Sequence, residues 1–406
     1  MRRSITLLFV TLLVLAMVSP ARAAAGDLDT AFDGDGVAVV TFSSSSTSNA
    51  VVVQGNGKII LAGAAGDDFG LARLDLTGAL DPTFGSGGTK TTDFRGHVDV
   101  ASDAALTSSK LIVVGTSRDS TTGETTFAVA RYRNGGKLDH TFDGATAVAV
   151  QADDKIVVGG YVDLTAQEDF GLARYNTDGS FDTTFDGDGL VTTDFVGDDD
   201  QIAKLAIQSD GKIVAVGFAN DATGTRMAVA RYNTDGSLDT TFAGDGLATT
   251  TFAGSVSTFG WAVAIQSDGK IVVAGENGGS PGGDQVIVRY DAAGNLDPTF
   301  SGDGKKSIDF GGTDVAYGVA IQADGRIVLA GKSDASGALD YTVARVDADG
   351  TPDGTFGVNG MVTTDLGTAI EAAFDVGLEP DGKIVVTGIG FVNGDLDFLA
   401  IRYLAV

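Results

Sequence analysis

One nine-residue signature recurs along this chain and limits its fold more than any other feature. It reads Ala206-Ile207-Gln208-Ser209-Asp210-Gly211-Lys212-Ile213-Val214 in one copy and returns almost unchanged at 264–272 and 320–328. Its basic residue falls at Lys58, Lys110, Lys155, Lys212, Lys270, Arg326 and Lys383, which makes seven units at intervals of 52, 45, 57, 58, 56 and 57 residues. Each complete unit holds four short runs rich in Val, Ile, Thr and aromatics, here called a to d. Run a ends in an Asp-Gly turn leading straight into run b, a strong hairpin signal. After a variable loop comes run c, as in 227–232, then a constant stretch, 233–242, and run d, as in 190–195. Nothing beyond residue 23 sustains a helical period.

Four antiparallel strands in about 57 residues, seven times over, predict an all-β, seven-bladed β-propeller. A β-solenoid is the competitor, but its rungs are usually much shorter. Blades are expected at about 50–94, 100–144, 146–195, 202–252, 260–310, 315–366 and 372–404, with 27–42 completing the last. The first segment carries a d-type run, 37–42, and the chain stops after a c-type run, 398–404. Pairing these two closes the ring and leaves no open edge. Unit two is short: the step from Phe142 to Gln151 takes 9 residues, where that from Phe185 to Gln208 takes 23. Only an outermost strand can be dropped without breaking a ladder on both sides. Run d therefore belongs at the rim and run a at the axis, and blade two is expected to have three strands.

Composition narrows the function. A 43% hydrophobic content with 58 Gly and 6 Pro suits a packed β-protein full of tight turns. The net charge of −27 repels phosphate backbones and anionic lipid headgroups, so nucleic acid is not an expected partner. No cysteine is present, which removes disulfides, thiolate metal sites and cysteine nucleophiles together. Arg2, Arg3, the apolar run 5–18 and Ala21-Arg22-Ala23 read as a signal peptide, 1–23, cleaved near Ala23 and leaving one propeller domain at 24–406. That apolar run rises only about 21 Å as a helix, short of a roughly 30 Å hydrocarbon core. The mature protein is expected to be a secreted or periplasmic monomer without a membrane span.

An arginine closes run c in every unit: Arg73, Arg131, Arg174, Arg231, Arg289, Arg345 and Arg402. Eight residues on come Asp81, Asp139, Asp182, Asp239, Asp297 and Asp353; Asp29 holds the equivalent place for Arg402. Three residues past each aspartate stands a phenylalanine, Phe32 in the first segment and Phe242 in the fourth unit among them. A ring of anion-binding arginines is one reading. The preferred one is structural: a bidentate ion pair at each c–d corner, covered by the phenylalanine.

Candidate ligand sites are few. The Asp/Gly turns at 32–36, 185–189, 242–246 and 300–304 offer Asp33, Asp35, Asp186, Asp188, Asp245 and Asp303 to calcium, although Asp and Gly are also the ordinary residues of tight turns. No other cofactor is expected. His97 and His140, the only histidines, lie in different units, which nearly excludes a multi-histidine metal site or a His-based triad. Trp261, the sole tryptophan, is a packing residue or a sugar-stacking platform. The a–b and c–d turns are nearly constant, whereas the b–c loops and d–a connectors vary and emerge together on the opposite face. Recognition of a protein or glycan is expected on that variable face or at the channel mouth.

Asp268-Gly269-Lys270-Ile271-Val272-Val273-Ala274-Gly275, the stretch 230–242, Gly244-Asp245-Gly246 and Thr192-Thr193-Asp194-Phe195 together resemble the delta-60 repeat family of exported bacterial proteins. The resemblance covers roughly 27–404 and implies a propeller-like fold and export, with no reaction or ligand attached. Two functions stay open. The preferred one is a secreted, non-enzymatic binding or scaffolding propeller. The alternative is an extracellular glycan hydrolase or lyase working through carboxylates or calcium. Inward-pointing Asp, Glu, Tyr or Arg that break the seven-fold pattern at one channel mouth would favour the enzyme; repeated small apolar residues would favour the scaffold.

Overall fold

The computed structural model describes residues 23–405 except 134, 144–145, 164–166, 196–197, 279–281 and 393. The expected signal peptide, apart from Ala23, lies outside the described residues. The described chain forms strands and turns without an α-helix, and no helix in it is long and apolar enough to cross a membrane.

Seven four-stranded antiparallel units follow one another, the fourth and fifth joined by a single parallel bridge between Thr225 and Ser257. The fourth runs Asp200–Ile207, Ile213–Asp221, Gly224–Tyr232 and Leu247–Thr250 in both sequence and space. Only the first strands of successive blades pack on one another all the way round, so run a lines the axis and run d the rim. The seventh blade takes its outer strand from the other end of the chain. Val37–Val40 pairs with Asp395–Tyr403, Val37 opposite Ile401 and Val40 opposite Phe398.

The apolar faces of each blade are covered by its neighbours, which gives one core cluster per interface. An open row of seven blades would have six such clusters. The seventh joins Val385, Phe398 and Ala400 of the last blade to Val51, Ile59 and Leu61 of the first, so the ring is closed. Buried tyrosines add a polar stitch between blades: the hydroxyls of Tyr132, Tyr232, Tyr290 and Tyr403 each meet a threonine on the preceding blade's outer strand, at 2.6–2.8 Å.

Blade two corrects one expectation. It does lack the d run of other units, yet it has four strands, because Leu138–Asp143 fills the rim. This is the stretch that elsewhere folds back into the c–d corner. Here no d run follows to cover the edge of Thr125–Arg133, and the next segment pairs with it directly, Ala128 opposite Asp143 and Arg131 opposite His140. An unpaired ladder edge is thereby avoided.

Candidate functional site at the channel mouth

Three layers of side chains decide what the ring can do: the corners on the constant face, the channel, and the blade seams on the variable face. At the corners, Arg Nε lies 2.7–2.8 Å from Asp Oδ2 in Arg73 with Asp81, Arg174 with Asp182, Arg231 with Asp239, Arg289 with Asp297, Arg345 with Asp353 and Arg402 with Asp29. The Asp139 side chain, expected to pair with Arg131, is outside the described residues. The pairing is through one oxygen and not the bidentate fork expected. Where a threonine stands two residues on, Oδ1 accepts its hydroxyl and amide, as from Thr241 to Asp239 at 2.7 and 3.0 Å. The signature lysine supplies a second cation to Oδ2, as Lys212 does at 2.9 Å. Each guanidinium sits 4.5–4.8 Å from the centre of its phenylalanine ring. Its Nη1 then reaches the next blade, Arg231 to the carbonyl of Ala292 at 2.7 Å and Arg345 to that of Ala405 at 2.7 Å. These arginines are used up in joining blades.

The proposed calcium turns serve the backbone in the same way. Asp35, Asp188, Asp245 and Asp303 each accept the amide two residues on, at 2.9–3.0 Å. Asp33 and Asp186 sit at φ 50° and 48°, left-handed values that let the corner donate its amide to the following blade. None of the six belongs to the close three-carboxylate groups found among the described residues.

The channel is built by a β-bulge that sequence reasoning missed. Six inner strands slip register by one residue at Asn49, Ser102, Ala203, Trp261, Tyr317 and Phe374; in blade three, Thr146 holds the equivalent place beside Ala147. The cause is a glycine at one fixed place in strand b, after its buried run. A Cβ on Gly63, Gly115, Gly217, Gly275, Gly331 or Gly388 would lie 1.8–1.9 Å from a carbonyl oxygen of the bulged strand. Only glycine permits that approach. The bulge turns one side chain per blade toward the axis, and residue type there is free to vary.

It varies unevenly. Four successive blades present Asn49, Ser102, Thr146 and Ala203; the next three present Trp261, Tyr317 and Phe374. The aromatics form a continuous arc. Trp261 stacks on Phe259 at 5.3 Å and 7°, meets Tyr317 at 6.2 Å, and Tyr317 meets Phe374 at 5.5 Å. Phe218 closes the arc against Phe259 at 5.3 Å. Glu276 accepts from Trp261 Nε1 at 3.2 Å, and Lys332 Nζ stands 5.5 Å from the Tyr317 ring centre. Burial pushes the Glu276 carboxyl up, against the indole hydrogen bond and Lys332. Phe218 and Glu276 lie on the second strands of blades four and five, Ile213–Asp221 and Ile271–Gly278, beside Trp261.

One residue deeper the channel is plugged by charge. Lys204 Nζ lies 2.7 Å from Asp103 and 3.9 Å from Asp375. Each carboxylate also accepts an amide of the following blade's inner strand, Val148 to Asp103 at 2.9 Å and Val51 to Asp375 at 3.0 Å. Burial alone would lower the Lys204 ammonium, but the two carboxylates outweigh it and hold it above its ordinary range. The result is a cavity of about 330 Å³ with an ionic floor, one aromatic side and one polar side. Gln201 and Phe218 in its wall lie toward the variable-loop ends of their strands, so it belongs to the variable face. A hollow of about 380 Å³ on the constant face surrounds Arg402, already paired with Asp29 and Glu379, and offers no free group of that kind.

Fold and site define a closed, seven-bladed β-propeller with an asymmetric pocket at one channel mouth. Models of a domain of unknown function, the DUF5122 beta-propeller, match residues 54–84, 108–142, 151–185, 208–242, 266–300, 322–356 and 379–406. The chain belongs to the DUF5122 beta-propeller family. No curated protein matches it. Among solved structures, a catalytically inactive virginiamycin B lyase from Staphylococcus aureus with quinupristin is similar at 8% identity and TM-score 0.51, over 90% of this chain and 98% of that one. The polysaccharide lyase Uly1 is similar at 12% identity and TM-score 0.51, over 88% and 90% of the two chains. At such identities the likeness is one of fold.

Proposed function

We propose that this protein is an exported binding propeller that takes a segment of an oligosaccharide into its channel mouth. The observation that carries the reading is the arc of Trp261, Tyr317 and Phe374 facing Asn49, Ser102 and Thr146 across one cavity. Aromatic faces pack against the apolar faces of sugar rings, while amide and hydroxyl groups opposite satisfy their hydroxyls; few convergent polar groups in a mainly apolar hollow is the usual make-up of a ligand site. Export is supported by the Arg2, Arg3 and 5–18 pattern of the sequence. One ring contains the whole site, which makes a monomer sufficient.

The channel breaks seven-fold symmetry, as an enzyme's would. Its charged groups nevertheless argue for binding. Lys204 is held protonated between two carboxylates and is a poor base, and those carboxylates are committed to Lys204 and to backbone amides. Glu276 at the same mouth is held on the Trp261 indole, and a second free carboxylate to work with it in hydrolysis would have to come from elsewhere. The test is an array of neutral and uronic-acid oligosaccharides probed with the mature protein and with Trp261→Ala and Tyr317→Ala. Retention by the wild type, lost in both variants and without product release, is expected. Retention unchanged in both variants contradicts this site, and cleavage of the bound sugar restores the hydrolase or lyase reading.

A further inference from the structure

At the start of inner strands two, four and six stand Asp99, Asp200 and Asp314, each fully buried at a seam between blades. In each, Oδ2 accepts one amide from the end of the preceding blade, Phe94 at 2.6 Å, Phe195 at 2.8 Å and Phe310 at 2.6 Å. The other oxygen, Oδ1, has no hydrogen-bond partner. Asp200 faces Ala219 across the ladder, while Asp99 and Asp314 face Ser117 and Ser333. A buried carboxylate oxygen without a donor is costly unless a cation meets it.

Two further carboxylates converge on each of them. Asp68 and Asp93 join Asp99, Asp169 and Asp194 join Asp200, and Asp284 and Asp309 join Asp314, with one oxygen from every residue within 4.8 Å of the others. Oxygens bound to one calcium at roughly 2.4 Å cannot be more than about 4.8 Å apart, so each set meets the geometric condition. The donors are all hard oxygens, which suits calcium and not zinc or copper. The full set of three acids is absent from other seams. At the seam between blades four and five the same three positions are Arg226, Thr251 and Thr258, without one carboxylate among them. At the closing seam they are Asp397, Thr41 and Ser46. A fourth set, Asp340, Asp365 and Glu371, differs in that both Glu371 oxygens already accept amides, from Leu366 and Thr368 at 2.7 Å.

We propose that the three all-aspartate sets closed by Asp99, Asp200 and Asp314 each bind one calcium ion, clasping the inner strand of one blade to the outer edge of the blade before it. The ions neutralise carboxylates that burial and mutual repulsion otherwise disfavour. They are structural and independent of the channel pocket, which lies nearer the axis.

The test uses the whole mature protein freed of metal with a chelator, with equilibrium dialysis against calcium chloride and thermal unfolding in calcium and in chelator. Asparagine is nearly isosteric with aspartate, so Asp200→Asn and the triple variant Asp99→Asn/Asp200→Asn/Asp314→Asn are the comparisons. Millimolar calcium is expected to raise the wild-type Tm by about 5 °C. Asp200→Asn is expected to bind one ion fewer and the triple variant three fewer. In chelator the triple variant should melt no lower than the wild type, because it sheds repulsion, which also shows that it is folded. A wild type that retains no calcium, or a triple variant that binds as many ions as the wild type, overturns the assignment.

Discussion

Arg402 of the last blade donates from Nη1 to the backbone carbonyl of Leu76 in the first, 2.9 Å away. The same guanidinium pairs with Asp29 of the N-terminal segment at 2.8 Å, lies 4.5 Å from the Phe32 ring centre and meets Glu379 at 3.2 Å. One side chain thus touches all three pieces that close the ring. Glu379 is peculiar to this blade. The equivalent position is Gln208, Gln266 or Gln322 in blades four to six, and Arg345 meets Gln322 with a neutral contact at 3.3 Å.

Arg402→Ala therefore takes the guanidinium from two buried carboxylates, leaving Asp29 with Lys383 alone and Glu379 without its ion pair, where Arg231→Ala takes it from Asp239 alone and leaves that carboxylate with Lys212. Loss of a partner from a buried pair costs about 3–5 kcal/mol, and a second unpaired buried charge adds about 2 kcal/mol. Thermal unfolding of the two variants should place Arg402→Ala clearly below Arg231→Ala, with earlier proteolytic release of the N-terminal segment. Equal midpoints would deny the closing corner any special role.

The bulge glycines make a sharper case. Gly331→Ala puts a Cβ 1.8 Å from the Val315 carbonyl, a contact no rotamer relieves because both partners are backbone. The bulge that presents Tyr317 must then be lost or displaced. We expect a loss above about 3 kcal/mol by denaturant unfolding, with altered Tyr317 exposure. Gly244→Ala, at φ 97° but with nothing within 4 Å, should cost only about 1 kcal/mol. Similar losses for the two would mean that the register shift does not depend on glycine.

The corner aspartates fix the acid limb of stability. Burial pushes Asp297 up, but the Thr299 hydroxyl and amide, then the Arg289 guanidinium, outweigh it and hold the carboxyl at about 2. Its folded value lies below the unfolded one of about 4, so its contribution is present above pH 4 and fades as the pH falls toward 2. Asp297→Asn should lose about 2 kcal/mol at pH 7 and almost nothing, relative to wild type, near pH 2. Denaturant titrations at both values measure it; a difference that persists at pH 2 would contradict the ionic origin.

What the sequence revealed was local. Asp-Gly turns, a cation and a carboxylate eight residues apart, and a missing d run can all be read along the chain. Ring closure was legible because the two termini carry complementary parts of one unit. The pocket was not, since its lining changes from Asn49 to Phe374 with no common residue type, and its one constant cause, a glycine such as Gly331, looks like the end of an ordinary strand. The seam acids escaped notice for a different reason. Asp169, Asp194 and Asp200 come from three strands of two blades, and in a chain with 54 acidic residues no single aspartate stands out. Blade two's rim was misjudged because Leu138–Asp143 carries the corner sequence, and the absence of a partner strand decided its conformation instead.

Trp261 is the only tryptophan in the chain and lies within the aromatic arc, so its emission reports on the channel mouth alone. Titrating the mature protein with short neutral oligosaccharides should give a saturable change in tryptophan fluorescence, with affinity lost in Tyr317→Ala and Phe374→Ala. No saturable change with any sugar, or calorimetric binding that leaves both the emission and the variants' affinity untouched, would place recognition elsewhere and contradict the account.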